Sequence, residues 1–208
     1  QKHFRMYELV EERLRESEQL ILEMEIDVPF KTQLEWARQM MLPEGKDISD
    51  YTDEERFGKL RSYAIDSLGI KEKRFNIYIK MKPFAFFSAL VPEILDEKIE
   101  SYEMYFSKVA KKEDIPVKPL ETFEFQMSIF DSIPNEKQMD MFFDEEMDFR
   151  NDYQELLEQY LDQDIYALAQ SYKDDENYAG IEQELIIMRN HDWADKLDEY
   201  LHEKSSFI

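Results

Sequence analysis

The pattern of apolar and polar positions changes character once near the start of the chain. Leu20-Ile21-Leu22 is a short apolar run, and Glu23-Met24-Glu25-Ile26-Asp27 then alternates acid with hydrocarbon. Side chains alternate between two faces of a strand. A strand over 20–27 therefore sets Leu20, Leu22, Met24 and Ile26 on one face, and Ile21, Glu23, Glu25 and Asp27 on the other. The second face turns acidic toward the strand's C-terminal end, where open α/β sheets place their ligand crevices.

Elsewhere the apolar residues recur at helical spacing. Helices are predicted over 4–18 (Met6, Val10, Leu14), over 30–42 (Leu34, Trp36, Ala37, Met41), and from a cap at Thr52 with Glu55 to a stop at Gly69. More follow over 71–79, over 82–95 with a kink or break at Pro92, and over 99–112, ending on Lys111-Lys112. Ile115 to Pro119 reads as a second short strand, and Thr122 caps a helix to 132. Residues 135–173 make one long or two broken helices, carrying Met139, Phe142, Phe143, Met147, Phe149, Leu156, Leu157, Tyr160, Leu161, Ile165 and Leu168. A last helix spans 176–203, and Ser206-Phe207-Ile208 opens a third strand. There is no internal repeat and no low-complexity linker. The fold class is α/β and helix-dominated: one domain over 1–208, with a small, mostly parallel sheet of short strands and mainly helical insertions over 30–113 and 135–175.

Composition narrows this picture. A chain of 208 residues, 43% hydrophobic and 14% aromatic, can bury a sizeable core. Its 48 acidic and 26 basic residues give a formal charge of −22. That surface repels phosphate backbones and anionic bilayers, so nucleic acid is not an expected partner. It suits divalent cations, cationic peptides or simple solubility. With no cysteine there is no disulfide, thiolate chemistry or cysteine zinc site. No run reaches the roughly 18 apolar residues of a membrane span. No signal peptide is expected, since Gln1 opens onto charged, helix-like sequence, and the chain reads as a mature or trimmed form. None of Gly45, Gly58, Gly69 and Gly180 belongs to a phosphate-binding loop.

Several residues carry candidate chemistry. Carboxylates in a half-buried strand need a cation, a metal or hydrogen-bond donors, and periodicity alone leaves both Glu23 and Glu25 eligible. Arg189 lies in the stripe Leu185, Arg189, Trp193, Leu197, Tyr200; if buried, its guanidinium needs a carboxylate or an anion, and otherwise it reaches the surface. Glu121 falls where a strand ends and a helix begins. Gln126 shares a face with Phe123, Met127 and Phe130 and wants partners for its amide. His3, His191 and His202 have no metal-ligand spacing and read as surface residues. Asp144-Glu145-Glu146 and Asp174-Asp175-Glu176 lack the pattern of a calcium loop and read as solvated faces. Met139, Met141 and Met147 read as core or interface.

Taken in order, several segments resemble the TraB/GumN family, which includes Tiki-like metalloproteases. These are the strand Leu20–Ile26, then Met41-Leu42-Pro43-Glu44-Gly45 with Ile48-Ser49-Asp50-Tyr51, and Lys82-Pro83-Phe84. Pro119-Leu120-Glu121-Thr122-Phe123-Glu124-Phe125-Gln126, running on to Phe130-Asp131-Ser132-Ile133-Pro134, is the strongest match. Met188-Arg189-Asn190 with Trp193 completes the series, and Ser101-Tyr102-Glu103-Met104 is similar to Bacteroidetes members. The resemblance implies an exported, metal-dependent hydrolase, peptidase-like, whose site combines two Gly-X-X-His motifs with an acidic residue. It implies a divalent metal in the intact protein, with Glu23 as metal ligand and Glu121, Gln126, Arg189 and Asn190 as recurrent polar positions of the catalytic site. No glycine here is followed by histidine three residues on. The family's two motifs are expected just before Gln1 and just after Ile208: either the chain is the middle of a longer protein, which the unfinished strand at Phe207-Ile208 favours, or it has lost its metal site, and without the flanking histidines the fragment is expected to be inactive.

Three readings follow. The first is a metal-dependent hydrolase acting on a peptide or protein substrate. The second is a non-catalytic protein that binds a peptide or partner, as in pheromone shutdown. The third is a helical structural protein, in which Arg189 only pairs with Glu23 or Glu121 and no pocket adjoins them.

Overall fold

The structure, a computed structural model, describes residues 8–95, 101–142, 149–174 and 186–208. Met6, His3, Phe143, Met147, Asp144-Glu145-Glu146, Asp175, Glu176, Gly180 and Leu185 lie outside the described residues, as does the start of the last predicted helix. Helix dominates among the described residues, and their strands form one small parallel sheet. The chain divides into two compact units. One comprises Gln1–Arg38, Lys98–Ile129 and Gln183–Ile208; the other comprises Gln39–Glu97 and Phe130–Glu182.

The first unit holds the sheet. Strands β1 (Gln19–Leu22), β2 (Val117–Pro119) and β3 (Ser206–Phe207) pair in the order β2-β1-β3, all parallel. β1 pairs Leu20 with Val117 and Leu22 with Pro119 on one side, and Leu20 with Phe207 on the other. All four of its residues are buried. A central parallel strand is covered on both faces, so Ile21 is as deep as Leu20 and Leu22. This corrects the predicted alternation. β1 stops at Leu22, and Glu23, Glu25 and Asp27 follow it rather than lining a strand face. A covered strand has no wet face on which to carry three carboxylates.

Helices α1 (Glu8–Glu16) and α2 (Phe30–Gln39) flank β1 in sequence. α6 (Tyr102–Lys112) is capped by Ser101, whose side chain accepts from the Met104 amide. Leu14, Leu20, Leu22 and Ala110 form this unit's core, with Phe106, Val109, Ile115, Val117 and Phe207 packed against them. After β2, the Thr122 hydroxyl accepts from the Phe125 amide at 3.2 Å and opens α7 (Phe123–Asp131), the predicted cap. The last helix of the unit is α11 (Met188–Glu203).

In the second unit the helices are α3 (Glu54–Ser62), α4 (Glu72–Tyr78), α5 (Pro83–Leu95), α8 (Asn135–Phe142), α9 (Phe149–Leu161) and α10 (Ile165–Asp174). The cap of α3 is Asp53, which accepts from the Arg56 amide at 2.8 Å. Thr52 instead ends the preceding 3-10 turn Ile48–Tyr51, because the carboxylate one residue later reaches the free amide. A π-turn over Tyr63–Ser67 follows, and Gly69, at φ 71°, ends the segment as predicted. α5 runs through Pro92, whose missing hydrogen bond falls in the helix's last turn. The core joins Leu60, Phe75, Phe86, Leu90 and Met139. Gln138 is buried within it and fully engaged, donating to the Phe130 and Ile133 carbonyls and accepting from the Phe84 amide.

Because Leu20 is fully buried on the sheet's central strand, Leu20→Ala should destabilise the protein by about 3 kcal/mol in urea unfolding. A loss below about 1 kcal/mol would show that this strand is not the buried centre of its unit.

Candidate functional site

Two carboxylates stand where two neighbouring parallel strands end. Glu23 directly follows β1, and Glu121 lies two residues beyond β2. The strand ladder continues past both strands: the Leu120 amide donates to the Leu22 carbonyl and the Glu121 amide to the Glu23 carbonyl, each at 2.9 Å. That backbone pairing holds the two residues side by side at the C-terminal edge of the sheet, on the side where parallel sheets bind ligands.

Arg189 joins them from α11. Its Nη2 donates to Glu23 Oε1 at 2.6 Å and also to Glu121 Oε1, while its Nε donates to Glu121 Oε2 at 3.1 Å. Gln126, one turn into α7, gives its amide nitrogen to Glu121 Oε1 at 2.6 Å and to Glu23 Oε1. Trp193 donates its indole N–H to Glu121 Oε2 at 3.1 Å, and its ring lies 4.9 Å from the Arg189 guanidinium carbon. Four of the five predicted site residues thus form one cluster. The fifth, Asn190, is exposed, and its side chain makes no hydrogen bond among the described residues.

The two carboxylates differ in kind. Glu121 is 4% exposed, and both its oxygens are taken. Glu23 keeps a side chain 40% exposed; its Oε1 receives both donors, and its Oε2 has no partner among the described residues. Their proton affinities separate accordingly. Burial raises the pKa of Glu23 above the ordinary glutamate value, and the Glu121 charge adds to this, against the pull of Arg189. Burial also acts on Glu121, but the hydrogen bonds from Arg189, Gln126 and Trp193 outweigh it and lower its pKa.

α11 reaches the sheet edge through a row of polar contacts. Lys196 donates its ammonium to the Leu120 carbonyl, and the Tyr200 hydroxyl donates to the Pro119 carbonyl at 3.3 Å. With Trp193 and Arg189 on Glu121, one helix face contacts residues 119, 120 and 121 in succession. No residue of α11 is buried. The stripe of Arg189, Trp193, Leu197 and Tyr200 read from the spacing is its half-buried face. Sequence reasoning missed Lys196, which stands three residues beyond Trp193 and so close to the same face. It also missed Gln19, fully buried, whose amide donates to the Tyr200 carbonyl at 3.0 Å and to the Ser206 hydroxyl at 2.8 Å. A glutamine opening an apolar strand was the available signal.

Among the described residues no group of three or more His, Cys, Asp or Glu side chains stands together as a metal site, and no helix is long and apolar enough to cross a membrane. His191 and His202 are exposed on α11. Trp36 belongs to the surroundings of α7, stacking on Phe123 with ring centres 4.6 Å apart and donating to Glu124 at 3.2 Å.

The opposed shifts give opposed contributions to stability. Glu121's is present above pH 4.5 and lost as pH falls through its lowered value; Glu23's is full below 4.5 and lost as pH rises through its raised value. Carbon-detected NMR should place the Glu23 midpoint above 4.5 and that of Glu121, the more deeply buried, below it; the reverse order would refute this division of roles. Arg189→Met leaves Glu121 buried without its cation and should cost about 3–5 kcal/mol in chemical unfolding. Pairing it with Glu121→Leu should recover part of that loss.

The TraB/PrgY/gumN family model matches residues 2–208 of the chain. No curated protein and no solved structure gives a match. The sequence series that resembles this family and the model that spans nearly the whole chain agree: the protein belongs to the TraB/PrgY/gumN family.

Proposed function

We propose that this chain carries the carboxylate part of a hydrolase site that acts on peptides, the activity that the family resemblance implies. The observation that supports the reading most is Glu23. One of its oxygens is fixed by Arg189 and Gln126, the other has no partner among the described residues on a side chain that is 40% exposed, and the residue stands at the ligand-binding edge of a parallel sheet. A carboxylate held in place by one oxygen, with its pKa raised, is suited to take a proton from water through the other. Arg189 keeps Glu23 and Glu121 together despite their like charges, and Gln126 sets the orientation of Glu23 Oε1. Asn190, exposed on the same helix, is available to a substrate.

The described residues do not by themselves fit a metal ion. Glu23 offers one free oxygen, Glu121 has both oxygens engaged, and the two described histidines stand exposed elsewhere on α11. What these residues contribute is a poised base and a fixed cation. A purely structural reading accounts for Glu121, whose oxygens are spent within the protein. It assigns the free oxygen of Glu23 no role beyond contact with solvent.

The protein, in the longest available form of its chain, should cleave members of a mixed peptide library followed by mass spectrometry. Glu23→Gln should lower that cleavage at least about 100-fold while leaving the unfolding midpoint nearly unchanged. Full cleavage by Glu23→Gln would remove Glu23 from the chemistry. Comparing cleavage before and after a chelator measures the metal dependence that the family resemblance implies.

A further inference from the structure

A cavity of about 210 Å³ lies in the sheet-bearing unit between α6 and the segment that leaves β1. Its lining is Ile26, Asp27, Met104, Ser107, Lys108 and Lys111. The last four recur at i, i+3, i+4 and i+7 and so form one face of α6. That face is distinct from the one on which Phe106, Val109 and Ala110 pack in the core. The walls are apolar: Ile26 on one side and Met104 on the other, the latter 53% exposed although it is a large hydrophobic side chain. Ser107 is 6% exposed, and its hydroxyl has no partner among the described residues. Lys111 is paired with Asp27 at 2.6 Å. Lys108 makes no ion pair among the described residues, so the rim carries one uncompensated ammonium in a chain of formal charge −22.

We infer that this cavity binds the C-terminal residue of a peptide, taking its apolar side chain against Ile26 and Met104 and its free carboxylate on Lys108. The cavity has room for one residue rather than a larger ligand. Within a peptide, only the C-terminal residue brings an apolar side chain and a carboxylate together on one carbon. An internal acidic residue would leave Ile26 and Met104 uncovered, and an internal apolar one would leave Lys108 and the Ser107 hydroxyl unmatched. The cavity is also near the candidate site. Asp27 is four residues from Glu23, so at most about 14 Å of chain separates them, and a short extended peptide spans that distance. The inference rests on the reading of Glu23 as peptide-directed, and it defines the substrate class as peptides with a free, apolar C-terminus.

Binding can be measured apart from cleavage. The probes are acetyl-Ala-Ala-Ala-Leu as the free acid, the same peptide as the C-terminal amide, and acetyl-Ala-Ala-Glu-Ala amide, which carries an internal carboxylate. Each is titrated into protein with isotope-labelled methionine methyls, in the natural sequence and in Glu23→Gln. The free acid should shift the Met104 methyl and bind about tenfold more tightly than either amide. Lys108→Ala, a change at an exposed position, should abolish that preference. Equal affinity for acid and amide, equal binding of the internal-glutamate peptide, or no shift at Met104 would each overturn the inference. Binding at Met104 with no cleavage of any peptide would sink the hydrolase reading alone. Cleavage without binding at Met104 would sink the cavity assignment alone.

Discussion

One guanidinium holds this architecture together. Glu121 is buried where β2 gives way to α7, and a buried carboxylate without a partner costs several kcal/mol. Arg189 removes that penalty with two hydrogen bonds to it, and through the same nitrogen takes Glu23 into the arrangement. The segments so joined are far apart in sequence: 68 positions separate Arg189 from Glu121, and 166 separate it from Glu23. The sheet brings the two carboxylates together, and the arginine makes their proximity tolerable. Gln126 and Trp193 supply the remaining donors, so every oxygen of the pair except one is accounted for.

α11 attaches in a manner unlike the packing of its unit's hydrocarbon core. Leu14, Leu20, Leu22 and Ala110 pack as hydrocarbon, whereas α11 buries no residue. Its side-chain hydrogen bonds to the sheet edge are a cation on a carbonyl, a hydroxyl on a carbonyl, an indole on a carboxylate and the arginine itself. Hydrogen bonds and ion pairs demand direction as well as proximity, so this docking sets a register that an apolar stripe alone would leave loose. The helix is thereby fitted to place one side chain accurately, which is what a site requires and a core does not.

Much of this was legible in the residues. Apolar runs bounded by charge and proline located all three strands, and Thr122 and Gly69 gave their boundaries because a cap and a left-handed turn are local matters. The spacing from Arg189 to Tyr200 exposed the half-buried face of α11. What failed was non-local. The end of β1 depends on how far its neighbours cover it, which no alternation within 20–27 reveals. The choice of Asp53 over Thr52 as cap turns on a single residue of helix phase. Lys196 and Gln19 have roles defined by carbonyls from distant parts of the chain, Leu120 for the one and Tyr200 for the other. For the site, residue types and their order singled out Glu23, Glu121, Gln126 and Arg189, but which carboxylate is spent and which keeps a free oxygen is a property of three-dimensional packing.

The wide separation of the cluster's members along the chain has a consequence for biogenesis. During synthesis Glu23 and Glu121 both emerge before Arg189 exists. Until α11 has been made, their juxtaposition sets two like charges side by side with no cation between them, so the edge of the sheet is disfavoured from closing. Gln126 is made early enough to offer its amide to both, but the charge of the pair is balanced only once α11 has been made.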